Sequence, residues 1–265
     1  MGKGALPPRT KFVEFCRLPR NTFRKVKGQG RNSAAAGVDL GAGFDKKRGA
    51  FFAEPPAMLT PETIETLFTR DDGSFQFARW GRPVVPIVFG VEDETLSVVK
   101  GAFEAVMALA GHKMAETDPE LGANCMVFFF RDWEELLAVP DLDRLIPDLA
   151  ALVARLVGAG ANQYRAFRFD EAGAIRAAFV FVRMDAQMAA QPAETLALAQ
   201  VVQVMLLWSE AAFRAQSPLA LAGDATILRP EIAGLIRAAY DPILPGAARD
   251  ASHALRLYAR MERPQ

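Results

Sequence analysis

Histidine and cysteine are scarce in this chain, with two of each among 265 residues. Cys16 and Cys125 lie on separate segments and set no disulfide framework. Cys125 falls in an apolar run, where a thiol reads as a small buried hydrophobe. His112 and His253 are too few for a typical catalytic zinc site unless other ligand types join them. No uninterrupted apolar stretch reaches the roughly 18–20 residues of a membrane span. The longest near-apolar run, Ala193 to Leu207, is broken by Glu194, Gln200 and Gln203. The N-terminus is basic without an apolar core, so as written it is not a secretory leader and the expected compartment is the cytoplasm. A processed or misassigned start would move that expectation to the cell envelope.

Net charge is lacking too, with 31 Lys and Arg against 31 Asp and Glu, but the balance hides an asymmetry. Residues 1–31 hold nine basic residues and one acidic, about +8, which leaves 22 against 30, about −8, for the rest. Residues 1–56 are expected to form a flexible basic arm and linker rich in Gly, Pro, Lys and Arg. Lys11, Arg17, Arg20, Arg24, Lys25 and Lys27 are interleaved there with Phe12, Phe15 and Phe23. Such an arm suits a protein partner or other acidic surface, with nucleic acid or an anionic membrane surface as second choices. A solvated tail is the plain alternative. The spaced glycines of Gly37 to Gly43 neither follow a strand nor open a helix, so they do not read as a phosphate loop.

Beyond the arm the chain is built to fold: 51% of its residues are hydrophobic and 23% charged. Residues 57–265 are expected to form one α/β domain. Thr60-Pro61-Glu62 is a helix start, and that helix should reach about Thr69. Asp71 to Ser74 is a turn, and Phe75 to Ala78 a short strand. Val84 to Phe89 and Asn124 to Phe130 read as buried strands. Between them Glu92 to Leu109 is a helix closed by Gly111, followed by a short strand at His112 to Glu116. Leu142 to Leu156 is another helix. Tyr164 to Phe169 and Ala174 to Arg183 form a hairpin around Asp170-Glu171-Ala172-Gly173, with a twist or bulge at one end. Pro192 opens a long helix to about Phe213. A loop with Pro218 and Gly223 leads to helices at Arg229 to Ala239 and about Ala248 to Met261. The hairpin argues against an all-parallel doubly wound sheet.

The long helix carries Ala199-Gln200-Val201-Val202-Gln203. Upstream stand Arg79-Trp80-Gly81-Arg82-Pro83 and Ala123-Asn124-Cys125-Met126-Val127-Phe128; downstream stands Leu235-Ile236-Arg237-Ala238-Ala239-Tyr240-Asp241-Pro242. In this order, over roughly residues 77–250, the segments resemble the matrixin-like zinc protease (zincin) core. They are also similar to a bacterial family of unknown function that keeps a degenerate zincin core. The resemblance implies a twisted mixed sheet with long helices packed on it, a C-terminal helical segment and the extended basic N-terminal arm. It also implies that Ala199, Gln200 and Gln203 occupy the place of His-Glu-x-x-His, where two imidazoles one turn apart would hold zinc. That family's helix reads Glu-Glu-x-x-Gln, and here both carboxylates are gone as well. No metal and no cofactor are therefore expected, and the chain reads as a pseudoprotease.

The other candidates have plain readings. Gln200 and Gln203 are either a polar relic of a cleft, able to bind a peptide backbone, or amides bonded to the sheet or to a loop carbonyl. Trp208 and Glu210 read as rim residues. Asn124 reads as a turn or edge bond, and Asp132, Glu134 and Glu135 as helix-start carboxylates. Ser209, Ser217 and Ser252 lack a nucleophile frame. Three functions follow. The first is a non-catalytic interaction or scaffold protein on an inactivated metalloprotease-like fold. The second is a metal-independent hydrolase in the residual cleft using Asp224, Glu210 and His253. The third is an accessory subunit tethered to a larger assembly by the arm.

Overall fold

An N-cap opens the folded chain. The Thr60 hydroxyl accepts the backbone N–H of Thr63 (3.3 Å), and the Thr63 hydroxyl accepts that of Thr60 (2.7 Å). With Pro61 in the first turn, this starts α1 (Pro61–Phe68) where the sequence places it. The structure, a computed structural model, describes residues 59–223 and 225–262. The expected basic arm and Asp224 lie outside the described residues.

β1 (Phe77–Ala78) and β2 (Pro86–Phe89) precede α2 (Asp93–Ala110), which Gly111 closes at φ 62°. β3 (Cys125–Phe130) leads to a 3-10 helix (Trp133–Ala138) and two short helices, α3 (Leu142–Leu145) and α4 (Leu149–Gly158). The hairpin strands β4 (Gln163–Phe169) and β5 (Ile175–Arg183) come next, then α5 (Ala186–Ala189) and α6 (Ala193–Met205). A second hairpin, β6 (Leu219–Ala222) and β7 (Ala225–Leu228), leads to α7 (Pro230–Ala239). β8 (Ala247–Ala248) and α8 (His253–Met261) complete the described chain.

The central sheet has the order β2-β3-β5-β4. β2, β3 and β5 run parallel, and β4 runs antiparallel to β5, so the sheet is mixed as the hairpin requires. Cys125, Val127, Phe129, Ala178, Val180 and Val182 face a core shared with α1, α2, α6, α7 and α8. Met126, Phe128, Phe130, Ala177, Phe179 and Phe181 face a second core under the 3-10 helix, α3 and α4. With both faces covered, β3 and β5 read as continuous apolar runs rather than alternating ones. On the second face an aromatic ladder crosses all four strands. Phe89 stacks on Phe128 (4.7 Å), Phe128 on Phe181 (5.2 Å) and Phe181 on Tyr164 (6.4 Å).

Several boundaries differ from expectation, each for a local reason. The helix expected over Leu142 to Leu156 is split around Pro147, because the residue before proline is pushed off helical geometry; Ile146 has φ −118° and ψ 97°. The helix expected to reach Phe213 ends at Met205, where Leu206 turns extended and its backbone pairs with Arg79. The loop expected around Gly223 contains the β6–β7 hairpin. The last helix starts at His253 because Ala247 and Ala248 pair with Ala78 and Phe77. The strand expected at His112 to Glu116 is one bridge, Val84 with Met114.

Gly90 ends β2 at φ 82°, and a Cβ on it would lie 1.9 Å from the Phe129 carbonyl oxygen. The strand-end approach thus admits only glycine. Gly90→Ala should lower unfolding stability by at least about 2 kcal/mol, read by urea denaturation.

Candidate functional site

The C-terminus of α6 is buried, and its last carbonyls must find donors inside the protein. Three aromatic side chains supply them. Trp208 Nε1 donates to Val202 O (3.0 Å), Trp80 Nε1 to Val204 O (2.8 Å) and the Tyr240 hydroxyl to Met205 O (2.8 Å). Burial pushes the Tyr240 hydroxyl's pKa upward, which keeps it a proton donor. Trp208 is therefore no rim residue: it is buried, stacked on Phe68 (5.3 Å) and edge-on to Phe213 (4.9 Å). Trp80 and Tyr240 belong to the segments that carried the zincin resemblance, and their work here is to terminate this helix.

Upstream on α6, Gln200 is buried and turned toward β4. Its Oε1 accepts from Arg165 Nη2 (2.7 Å), and its Nε2 donates to Gln163 Oε1 (3.3 Å). Gln163 Oε1 also accepts from Arg165 Nη2 (2.8 Å). Arg165 has no carboxylate partner among the described residues, and its buried Nε has no hydrogen bond. Burial lowers its pKa to about 10, so the group remains a cation at neutral pH, held by amide oxygens alone. The side-chain amide of Gln203 donates to Ala199 O (3.2 Å), a bond within its own helix. Gln200 thus bonds the sheet, whereas Gln203 bonds only a carbonyl of its own helix.

The remaining candidates are dispersed. Glu210 is exposed and paired with Arg70; Glu194 is exposed on the first turn of α6. His112 Nε2 meets the Arg82 carbonyl at 2.9 Å and its ring packs against Tyr240. His253 is buried beside Phe77 (4.4 Å) with neither ring nitrogen bonded. The Glu210 and His253 offered for metal-free hydrolysis therefore share no hydrogen bond. Among the described residues no three His, Cys, Asp or Glu side chains gather as a metal site requires. Cys125 is buried, and burial pushes its thiol up to about 12.

The plain readings hold elsewhere. Asn124 Oδ1 accepts from Val85 N–H (2.8 Å), and its Nδ2 donates to Pro83 O (2.9 Å) and Asp118 Oδ2 (3.0 Å). Glu135 accepts the backbone N–H groups of Arg131 (3.0 Å) and Asp132 (2.9 Å) at the start of the 3-10 helix. Ser209 Oγ donates to Thr66 O (3.3 Å), and Ser217 Oγ accepts from Leu219 N–H (3.1 Å). Sequence reasoning missed Arg165: it stands opposite Val180, an inward position that shows only once the register with β5 is known.

No family model, curated protein or solved structure matches the chain. No helix among the described residues is long and apolar enough to cross a membrane.

Two predictions follow from these buried polar groups. Gln200→Glu places a carboxylate against Arg165 and should raise stability at pH 7 by about 1 kcal/mol. Its pKa, depressed by the guanidinium, makes that gain present above the unfolded value of about 4.3 and lost as the pH falls through the lower folded value. Urea denaturation at pH 7 and pH 3.5 reads both. For His253, burial first and Arg256 second lower the pKa to about 4, against about 6.5 when unfolded. Between these values the unfolded chain binds more protons. The stability tied to a neutral His253 is complete above about pH 6.5, declines as the pH drops and is lost below about pH 4. Its span is about 2–3 kcal/mol, and His253→Leu should flatten that part of the stability–pH curve.

Proposed function

We propose that this chain is a non-catalytic interaction or scaffold protein, an accessory subunit that its basic N-terminal arm tethers to a larger assembly. The observation that carries this reading is the Arg165–Gln200–Gln163 cluster. A catalytic zinc site keeps an open position for water or substrate at its helix. Here Gln200 is turned toward the sheet and bonded to Arg165 and Gln163, while Gln203 bonds back to the Ala199 carbonyl of its own helix. The likeness to a metalloprotease core enters the proposal as the origin of this helix, its coordinating positions given over to packing. Lys11, Arg17, Arg20, Arg24, Lys25 and Lys27, with Phe12, Phe15 and Phe23, are the proposed partner-binding residues, and an acidic protein surface is the complement they fit.

The test uses the full-length chain, purified from its own cells, beside a variant in which those six basic residues are changed to Gln. The expected result is a complex of fixed stoichiometry by light scattering. It should fall apart in the variant and as salt shortens the reach of surface charge below about 10 Å. Stoichiometric zinc in the purified protein, coupled to peptide hydrolysis that chelators abolish, would overturn the proposal.

A further inference from the structure

On the face of the sheet opposite α6 lies a cavity of about 300 Å³, at the N-terminal ends of β3 and β5 and the C-terminal end of β4. That volume is at the small end of the range for small-molecule sites. Met126, Ala177 and Phe179 form an apolar floor, and the charged groups lining it are Arg144, Arg168 and Arg176, with no carboxylate among the lining residues.

The fold brings two of these arginines together by a bulge. Arg168 pairs with Ala177, but the next residue, Phe169, pairs with Ile175, so Arg176 is the extra residue on β5. The parity of β5 changes there. Ile175 packs into the core under α6, while Arg176 lines the cavity beside Ala177. Re-aiming one side chain is what a bulge does. Arg168 donates to the carbonyls of Leu145 and Phe167, lies 5.9 Å from the Phe179 ring and has no carboxylate partner among the described residues. Arg144 pairs with Asp141 (3.1 Å), both exposed, and Arg176 pairs with Glu120. Three guanidiniums thus meet two carboxylates, and neither carboxylate lines the cavity.

We propose that this cavity binds a small organic anion, a carboxylate or phosphate head on an apolar body. The head is taken by the arginines, whose planar forks match oxyanions. The body lies on Met126, Ala177 and Phe179. This proposal stands independently of the tethering arm and of the residues of α6.

The test titrates full-length protein with octanoate and octyl phosphate by calorimetry, against octanol (the same apolar body without charge) and against acetate and inorganic phosphate (heads alone). Saturable binding of octanoate or octyl phosphate is expected, with a Kd below about 1 mM. Octanol and the bare heads should bind at least about tenfold more weakly. Either of the two charged amphiphiles being the tighter supports the proposal and identifies the head. Arg176→Gln, at a part-exposed position, and Arg144→Gln, at an exposed one, should each weaken binding by about fivefold or more while the melting temperature holds. Octanol binding as tightly as octanoate, unchanged affinity in both variants, or no saturable binding of either amphiphile up to 10-fold above that Kd would overturn it.

Discussion

Everything on the α6 side of the sheet depends on how one buried helix end is satisfied. Carbonyls left without donors in an apolar core would each cost about 1–3 kcal/mol. Trp208, just past the helix, and Trp80 and Tyr240, from distant parts of the chain, meet three of them. The same residues also hold other junctions. Trp80 follows Arg79, whose backbone pairs with Leu206, and Tyr240 lies under the Arg79 guanidinium at 5.5 Å. The approach to β2, the exit from α6 and the end of α7 are therefore locked to one another. That lock fixes the rotation of α6 and so decides which of its residues meets β4.

β4 shows one residue type in two settings. Arg165 points to the α6 side and Arg168 to the opposite side, three residues apart on an alternating strand. The first is half-buried against a helix, and among the described residues amide dipoles take the place of a counter-ion. The second stands in an open cavity with carbonyl acceptors and an aromatic ring. A guanidinium tolerates both because it stays charged and donates in a plane, whereas an ammonium in the first position would more readily shed its proton. Gln163 and Gln200 offset the partial desolvation of Arg165 by offering oxygens to the same nitrogen.

The sequence makes local chemistry legible and long-range closure hard to see. The Thr60 cap, the Gly111 stop, the β3 run and the hairpin with its irregular end all follow from residues close together in the chain. The end of α6 does not. Nothing within Leu206 to Phe213 breaks a helix by propensity; the break comes from pairing with Arg79 and from a tyrosine 35 residues downstream of the carbonyl it caps. β1 lies within the short strand expected at Phe75 to Ala78, but its partner β8, of two residues, falls below any pattern length. The amide reading of Gln200 could be reached from its apolar surroundings, but its partner could not, because Arg165 belongs to a strand whose inward face shows only once the register with β5 is known. The arginine cavity draws on α3, β4 and β5 and changes parity at a bulge, so no linear motif announces it.

Arg165 also bears on what α6 can do, apart from the missing imidazoles. A divalent cation at residues 199–203 would approach a guanidinium that already touches the Gln200 oxygen at 2.7 Å and lacks an anionic neighbour among the described residues. Two positive charges so close, with little water between them, repel strongly. Placing histidines at Ala199 and Gln203 would therefore not by itself create a metal site, because the local field opposes it. The absence of imidazoles and carboxylates at Ala199, Gln200 and Gln203, and a strand cation without a carboxylate partner among the described residues, are two parts of one electrostatic arrangement, and they favour packing over coordination.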